Sequence, residues 1–244
     1  QPIMLAAGFA TYKILSEEIS LSPSSMAGHS LGEYTALAVA DVLGIGDTAL
    51  LVEERGRLMQ EACEQKPGSM AAVLGLDLVI MEALVKDTGA YISNVNTQEQ
   101  IVISGEALDV KRVCDKALGK GAKKTIPLKV SGAFHSQLMS SASEGLVEAV
   151  DRLDFKNPSV PIVANCTGKP LATSDELKGE LITQISSCVQ WSRSIRYMIG
   201  TGISRFIEIG PGKVLSGLIK RIDRNVKVTS INTEDDIKQI NLND

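Results

Sequence analysis

Residues 28 to 34 read Gly28-His29-Ser30-Leu31-Gly32-Glu33-Tyr34, a GxSxG pattern with a serine between two glycines where an extended segment turns into a helix. A serine on such a nucleophile elbow is presented for attack on an acyl carbon, and its hydroxyl needs a general base. The chain holds only two histidines. His29 adjoins Ser30, so its side chain should point away from the hydroxyl and supports the site at most. His135, in Gly132-Ala133-Phe134-His135-Ser136, belongs to a distant segment that folding can bring to the serine. A serine with a remote imidazole points to covalent acyl transfer. Ser30 also heads a helix, where the positive dipole end and the Leu31 N–H can stabilise an oxyanion. Both elbow glycines are expected to be needed for close approach of strand and helix, with only small residues fitting there.

Arg55, in Val52-Glu53-Glu54-Arg55-Gly56-Arg57, is flanked by acids, which suits a solvated helix charge. Its planar fork equally suits a carboxylate held by two parallel hydrogen bonds, a device a simple hydrolase does not need. Glu208-Ile209-Gly210-Pro211-Gly212-Lys213 invites comparison with a phosphate loop. The GxxxxGK[ST] spacing is not met, and Pro211 lacks a backbone donor, so a tight strand-to-helix turn is expected. Lys213, Lys220, Arg221 and Arg224 form a basic run along the following helix, either a solvated face or a docking surface for an acidic partner.

The elements that must position these groups occupy 244 residues, enough for one sizeable core carrying a smaller inserted unit. Hydrophobic residues at 44% and charged residues at 22% describe an ordinary globular chain. No apolar run is long enough to span a bilayer and no signal peptide opens the chain, so a cytoplasmic protein is expected. Cys63, Cys114, Cys166 and Cys188 show no CxxC pair, which argues against a metal site or a disulfide framework. A net charge of -4 argues against general nucleic-acid binding.

Periodicity predicts helices over 2–20, 31–42 and 46–64, with an extended stretch at 25–29. From 68 to 129 the order is strand 70–74, helix from 77, strands 91–95 and 100–104, helix 107–118 and strand 125–128. This βαββαβ order is ferredoxin-like. Beyond His135 the pattern predicts a helix to about 153, a strand at 160–164, helices at 175–186 and 191–200, a strand at 205–209, a helix at 214–222 and a strand at 226–231. Such alternation implies a parallel sheet covered on both faces. The expected fold is α/β: a hydrolase-like parallel-sheet domain of residues 1–66 and 131–244, with a ferredoxin-like subdomain at 67–130.

With the elbow, Arg55, the Ala133-Phe134-His135 segment and the segment 208–215 in order, the chain resembles the acyltransferase family of fatty-acid and polyketide synthesis, which includes malonyl-CoA:acyl-carrier-protein transacylases. The likeness runs from Gln1 to about Arg224, and that family's fold also joins a large α/β body to a ferredoxin-like insertion. The resemblance implies that Ser30 takes the malonyl group and His135 takes its proton, while Arg55 clamps the malonyl carboxylate and Leu31 N–H supplies an oxyanion donor. It implies that a main-chain carbonyl at Gln184 orients His135, and that Phe134 favours malonyl over methylmalonyl. The acyl group would pass to the phosphopantetheine thiol of acyl carrier protein, with coenzyme A released and no cofactor, by a monomeric enzyme.

Family members begin with a strand and a GQGSQ-like loop whose glutamine supplies a second oxyanion donor; Gln1-Pro2-Ile3 starts downstream of it, so either the chain is a fragment or the missing piece comes from elsewhere. Losing such a donor costs on the order of a hundredfold in rate. Two alternatives stand beside transfer. A serine thioesterase or hydrolase shares GxSxG but places its histidine late, and no histidine follows His135. An inactive carrier-protein docking module would keep the fold without the opening loop.

Overall fold

A computed structural model describes residues 1–130 and 132–240. Three helices open the chain: α1 (Pro2–Glu18), α2 (Leu31–Val39) and α3 (Ile45–Gln65). Pro2 starts α1 at the position where its missing N–H has no intrahelical acceptor to lose. Helix α2 ends at Val39, earlier than periodicity suggests. Asp41 takes a left-handed φ of 58°, and the Val42 N–H bonds the Leu37 carbonyl, a Schellman-type stop.

Next come β1 (Ser69–Leu74), α4 (Leu78–Val85), β2 (Ala90–Thr97), β3 (Gln100–Gly105), α5 (Ala107–Gly119) and β4 (Lys124–Pro127). The strands form one antiparallel sheet in the order β2-β3-β1-β4, the ferredoxin-like arrangement. Alternation along β1 decides what each face meets. Ala71 and Val73 pack with Met81, Leu84, Val110 and Val113 of the two helices, while Met70 and Ala72 turn to Phe134 on the opposite face. The sheet therefore supports the His135 segment from below. At its β2 edge, Val95 N–H and Val189 N–H bond the Val189 and Ser93 carbonyls, tying β2 to the loop at 185–190. We propose the junctions near residues 67 and 130 as domain boundaries.

The remainder holds α6 (Ser140–Asp151), β5 (Ile162–Val163), β6 (Pro170–Leu171), α7 (Ser174–Gln184), α8 (Trp191–Gly200), β7 (Arg205–Ile209), α9 (Val214–Ile222), β8 (Lys227–Ile231) and α10 (Glu234–Gln239). Strands β7 and β8 pair in parallel across α9, the right element for such a crossover. The fold is α/β, and several local expectations are corrected. The stretch 25–29 is not a full strand: Met26 makes a single parallel bridge to Ile162. The strand expected at 160–164 is two residues long and pairs antiparallel with β6, an element the pattern did not announce. A 3-10 turn at Gln137–Met139 replaces the first turn of the helix after His135, and α10 lies beyond the expected last strand. The largest buried cluster joins α2, α3, α6 and α7 through Leu37, Leu51, Val52, Leu146, Leu177 and Leu181, a rigid floor under the elbow.

Candidate active site

Ser30 caps α2 with φ 52° and ψ -106°, a conformation that L residues rarely adopt. Gly28 permits it: a Cβ there would lie 1.9 Å from the Gly32 carbonyl carbon and 2.3 Å from Glu33 N. Gly32 is different, because a Cβ at that position meets nothing within 4 Å. The expectation that both glycines exclude side chains thus holds for Gly28 alone.

His135 Nε2 lies 2.9 Å from Ser30 Oγ, across 105 residues of sequence. Its Nδ1 is 2.8 Å from the Gln184 carbonyl oxygen, which can only accept, so Nδ1 carries the proton and Nε2 offers its lone pair to the serine. Like Ser30, His135 sits at positive φ (56°), and its N–H bonds the Ile185 carbonyl. Burial, then the Arg55 charge, pushes its pKa down to about 3, so the imidazole is neutral near pH 7.

Arg55 is no solvated charge: it is 1% exposed and donates from Nη2 to Ser30 Oγ at 2.9 Å and to Gln184 Oε1 at 3.1 Å. Ser30 Oγ thereby accepts from Arg55 and keeps its own proton for His135. The guanidinium stacks 5.1 Å from the Tyr34 ring centre, and Nη1 donates to Gln1 Oε1 at 2.5 Å. Among the described residues no carboxylate forms an ion pair with it, and its Nε has no hydrogen-bond partner. A buried cation without an anion is costly, and an acidic ligand would relieve that cost.

The Leu31 N–H heads α2 beside Ser30 Oγ, in the first turn where backbone donors lack intrahelical acceptors. His29 points away from the serine, with Nε2 3.0 Å from Asn96 Oδ1 and its ring 5.6 Å from that of Trp191. It lines, with Leu31, Gly32, Asn96 and Trp191, an open cavity of about 830 Å³. Phe134 is half-buried against Met70, Ala72 and Val102. Of the basic run, Lys220 Nζ donates to the Val226 carbonyl at 2.6 Å and Arg221 Nη1 to Gln100 Oε1 at 2.8 Å, while Lys213 and Arg224 are exposed. No phosphate loop forms at 208–213. The Glu208 carboxylate itself accepts the Leu215 and Ser216 N–H groups at the head of α9.

Sequence reasoning missed Gln1, Asn165 and the side chain of Gln184. Asn165 Oδ1 accepts the Ser30 N–H at 2.7 Å, and its Nδ2 donates to the Gly28 carbonyl at 2.7 Å, so one amide grips both ends of the elbow. Gln184 Nε2 donates to the Ser30 carbonyl at 3.0 Å. The available signal was a polar residue closing an apolar run, Val160-Pro161-Ile162-Val163-Ala164-Asn165. Among the described residues no group of His, Cys, Asp or Glu is placed to hold a metal ion.

Comparison with known proteins bears on this arrangement. The profile described as acyl transferase domain matches residues 1–237. The chain belongs to the acyl transferase domain family. The malonyl CoA-acyl carrier protein transacylase of Bacillus subtilis (strain 168) is 40% identical over 243 residues, covering 98% of this chain and 76% of the relative. Among solved structures, the malonyl CoA-acyl carrier protein transacylase of Coxiella burnetii superposes with a TM-score of 0.94 at 34% identity, over 97% of this chain and 76% of that one. A malonyl-transacylase in complex with its type II PKS acyl-carrier protein reaches a TM-score of 0.96 at 34% identity, covering 100% of this chain and 80% of its own. As an acyl transferase, this chain carries its Ser–His pair on a fold shared along nearly its full length.

Proposed function

We propose that this acyl transferase moves a malonyl group from coenzyme A to the phosphopantetheine thiol of acyl carrier protein through an ester on Ser30. The observation that carries the reading is Arg55, a buried guanidinium with no carboxylate partner among the described residues, one hydrogen bond from the nucleophile. A thioester ending in a free carboxylate is the acyl donor such a cation suits.

In the first half-reaction His135 Nε2 takes the Ser30 hydroxyl proton as Oγ bonds to the thioester carbon. The Leu31 N–H stabilises the oxyanion, and Arg55 holds the distal carboxylate. Collapse breaks the C–S bond, and the imidazolium returns its proton to the coenzyme A thiolate. In the second half-reaction His135 deprotonates the carrier thiol, which attacks the ester, and Ser30 regains the proton. The Gln184 carbonyl keeps Nδ1 protonated through both halves and does the orienting work that an acid does elsewhere. Phe134 and His29 border the acyl and thioester sides. As drawn, the cycle needs no metal or organic cofactor. No helix among the described residues is long and apolar enough to cross a membrane, and we propose a monomer acting in the cytoplasm.

Intact-mass analysis after mixing with malonyl-CoA tests the reading. The expected result is one malonyl group mapped by peptide digestion to Ser30; no adduct, or an adduct elsewhere, rejects it. We also propose that Lys213, Lys220, Arg221 and Arg224 receive the acidic carrier protein. Lys220→Glu with Arg221→Glu should then raise the KM for carrier protein about tenfold while leaving adduct formation from malonyl-CoA unchanged. An unaltered KM in steady-state transfer removes that surface from consideration.

A further inference from the structure

We propose that Glu33, which no step above uses, is a positioning residue whose buried carboxylate dictates which way the Asn165 and Gln184 amides face, and so sets the elbow and Arg55. The inference rests on the acyl transfer proposed above. Glu33 stands in the first turn of α2 and is fully buried. One carboxylate oxygen accepts the Asn165 backbone N–H and Asn165 Nδ2, each at 2.9 Å; the other accepts Gln184 Nε2 at 2.6 Å.

When ionised, the Glu33 carboxylate can only accept, so both amides then turn nitrogen toward it, as the three N–H donors aimed at its oxygens show. Their oxygens then face the opposite way, where Asn165 Oδ1 takes the Ser30 N–H at 2.7 Å and Gln184 Oε1 takes Arg55 Nη2 at 3.1 Å. The same two nitrogens also reach the Gly28 carbonyl at 2.7 Å and the Ser30 carbonyl at 3.0 Å. Three main-chain groups of the strained elbow and the substrate-side guanidinium thus hang from one acceptor. A carboxylate is an expensive choice for this place: burial, then the neighbouring Glu180, push its pKa up to about 8 even though the donors from Asn165 and Gln184 favour the ionised form, so the accept-only state is complete above that pH.

Glutamine at position 33 has the same shape but adds a donor. Its oxygen must face Asn165, because a backbone N–H cannot be turned round, and its NH₂ then meets Gln184. The Gln184 amide has to flip to accept, which points its own NH₂ at Arg55, donor against donor. The clamp is displaced while the fold has little reason to fail.

The test compares Ser30 acylation by malonyl-CoA and by acetyl-CoA at about pH 9, where Glu33 is ionised, using rapid-quench mass spectrometry on wild type, Glu33→Gln and Gln184→Met, with Tm measured for each. For Glu33→Gln the expected result is a Tm within about 5 °C of wild type and a malonyl-to-acetyl ratio of kcat/KM lowered at least about tenfold. Gln184→Met removes the acceptor for Arg55 but keeps the main-chain carbonyl under His135, so its ratio should fall in the same direction. A folded Glu33→Gln with an unchanged ratio, or one that slows both thioesters equally, overturns the proposal whatever Gln184→Met does. Should Glu33→Gln not fold, an unchanged ratio in Gln184→Met overturns it alone. Wild-type protein that takes no malonyl group rejects the parent reading instead, so the two failures are told apart.

Discussion

His135→Ala is expected to slow malonyl-enzyme formation by about 10²- to 10⁴-fold, the usual contribution of a positioned general base. Among the described residues the imidazole is the base that hydrogen-bonds Ser30 Oγ, at 2.9 Å, and its tautomer is set by a carbonyl that cannot donate. Because serine and histidine act as one unit, Ser30→Ala should form no ester at all, and the double variant should be no slower than the worse single one. Single-turnover mass spectrometry of the three variants checks this; additive losses would mean that the two side chains act separately. The pH profile gives a second check. A lowered histidine pKa means that the base form persists as pH falls, so activity survives below the ordinary value near 6.5 and is lost only as His135 itself is protonated. The kcat/KM for malonyl-CoA should stay flat from neutral pH to about pH 5. An acid limb centred at 6.5 would show a solvated imidazole and contradict the buried geometry.

Arg55→Ala is expected to lower malonyl transfer by about a hundredfold or more, the scale of truncating one partner of a buried charged pair. The same change should leave acetyl transfer equal or faster, since it removes a buried charge that a neutral acyl chain cannot satisfy. The opposite signs matter because Arg55 also touches Ser30 Oγ. If its main work were to activate or place the nucleophile, both thioesters would suffer alike. Equal losses of malonyl and acetyl transfer would therefore remove the clamp. Lysine at this position should recover little, because a point charge cannot replace the fork that reaches Gln1, Ser30 and Gln184 together.

The small sheet was readable because β1 and β3 are short apolar runs punctuated by Gly68, Gly75 and Gly105, and β2 and β3 adjoin in sequence. The extended piece before the elbow was not, since Met26 owes its single bridge to Ile162, far along the chain, and nothing local announces so short a pairing. Gly28 and Gly32 look alike in sequence, yet only the first faces another backbone. The role of the Gln184 carbonyl had no side-chain signature, because any residue supplies a main-chain oxygen; it entered through resemblance. Arg55 shows the reverse difficulty. Its acidic neighbours Glu53 and Glu54 suggested solvent, but a helix turns each successive side chain by about 100°, and Arg55 lies on the inward face with Val52 and Met59.

Read alone, the amino-acid order named the candidate nucleophile and base that the fold brings together: an elbow is a local motif, and with two histidines in the chain the choice of base was short. It also settled the α/β class, through periodicities that need no knowledge of distant contacts. Tertiary structure alone decided that Arg55 is buried, that Asn165 and Gln184 bond the elbow, and that both amides donate to Glu33. Those facts depend on burial and on hydrogen bonds spanning 25 to 154 residues. Such bonds are fixed by the packing of α2, α3 and α7 around one core, and no pattern within a single segment encodes them.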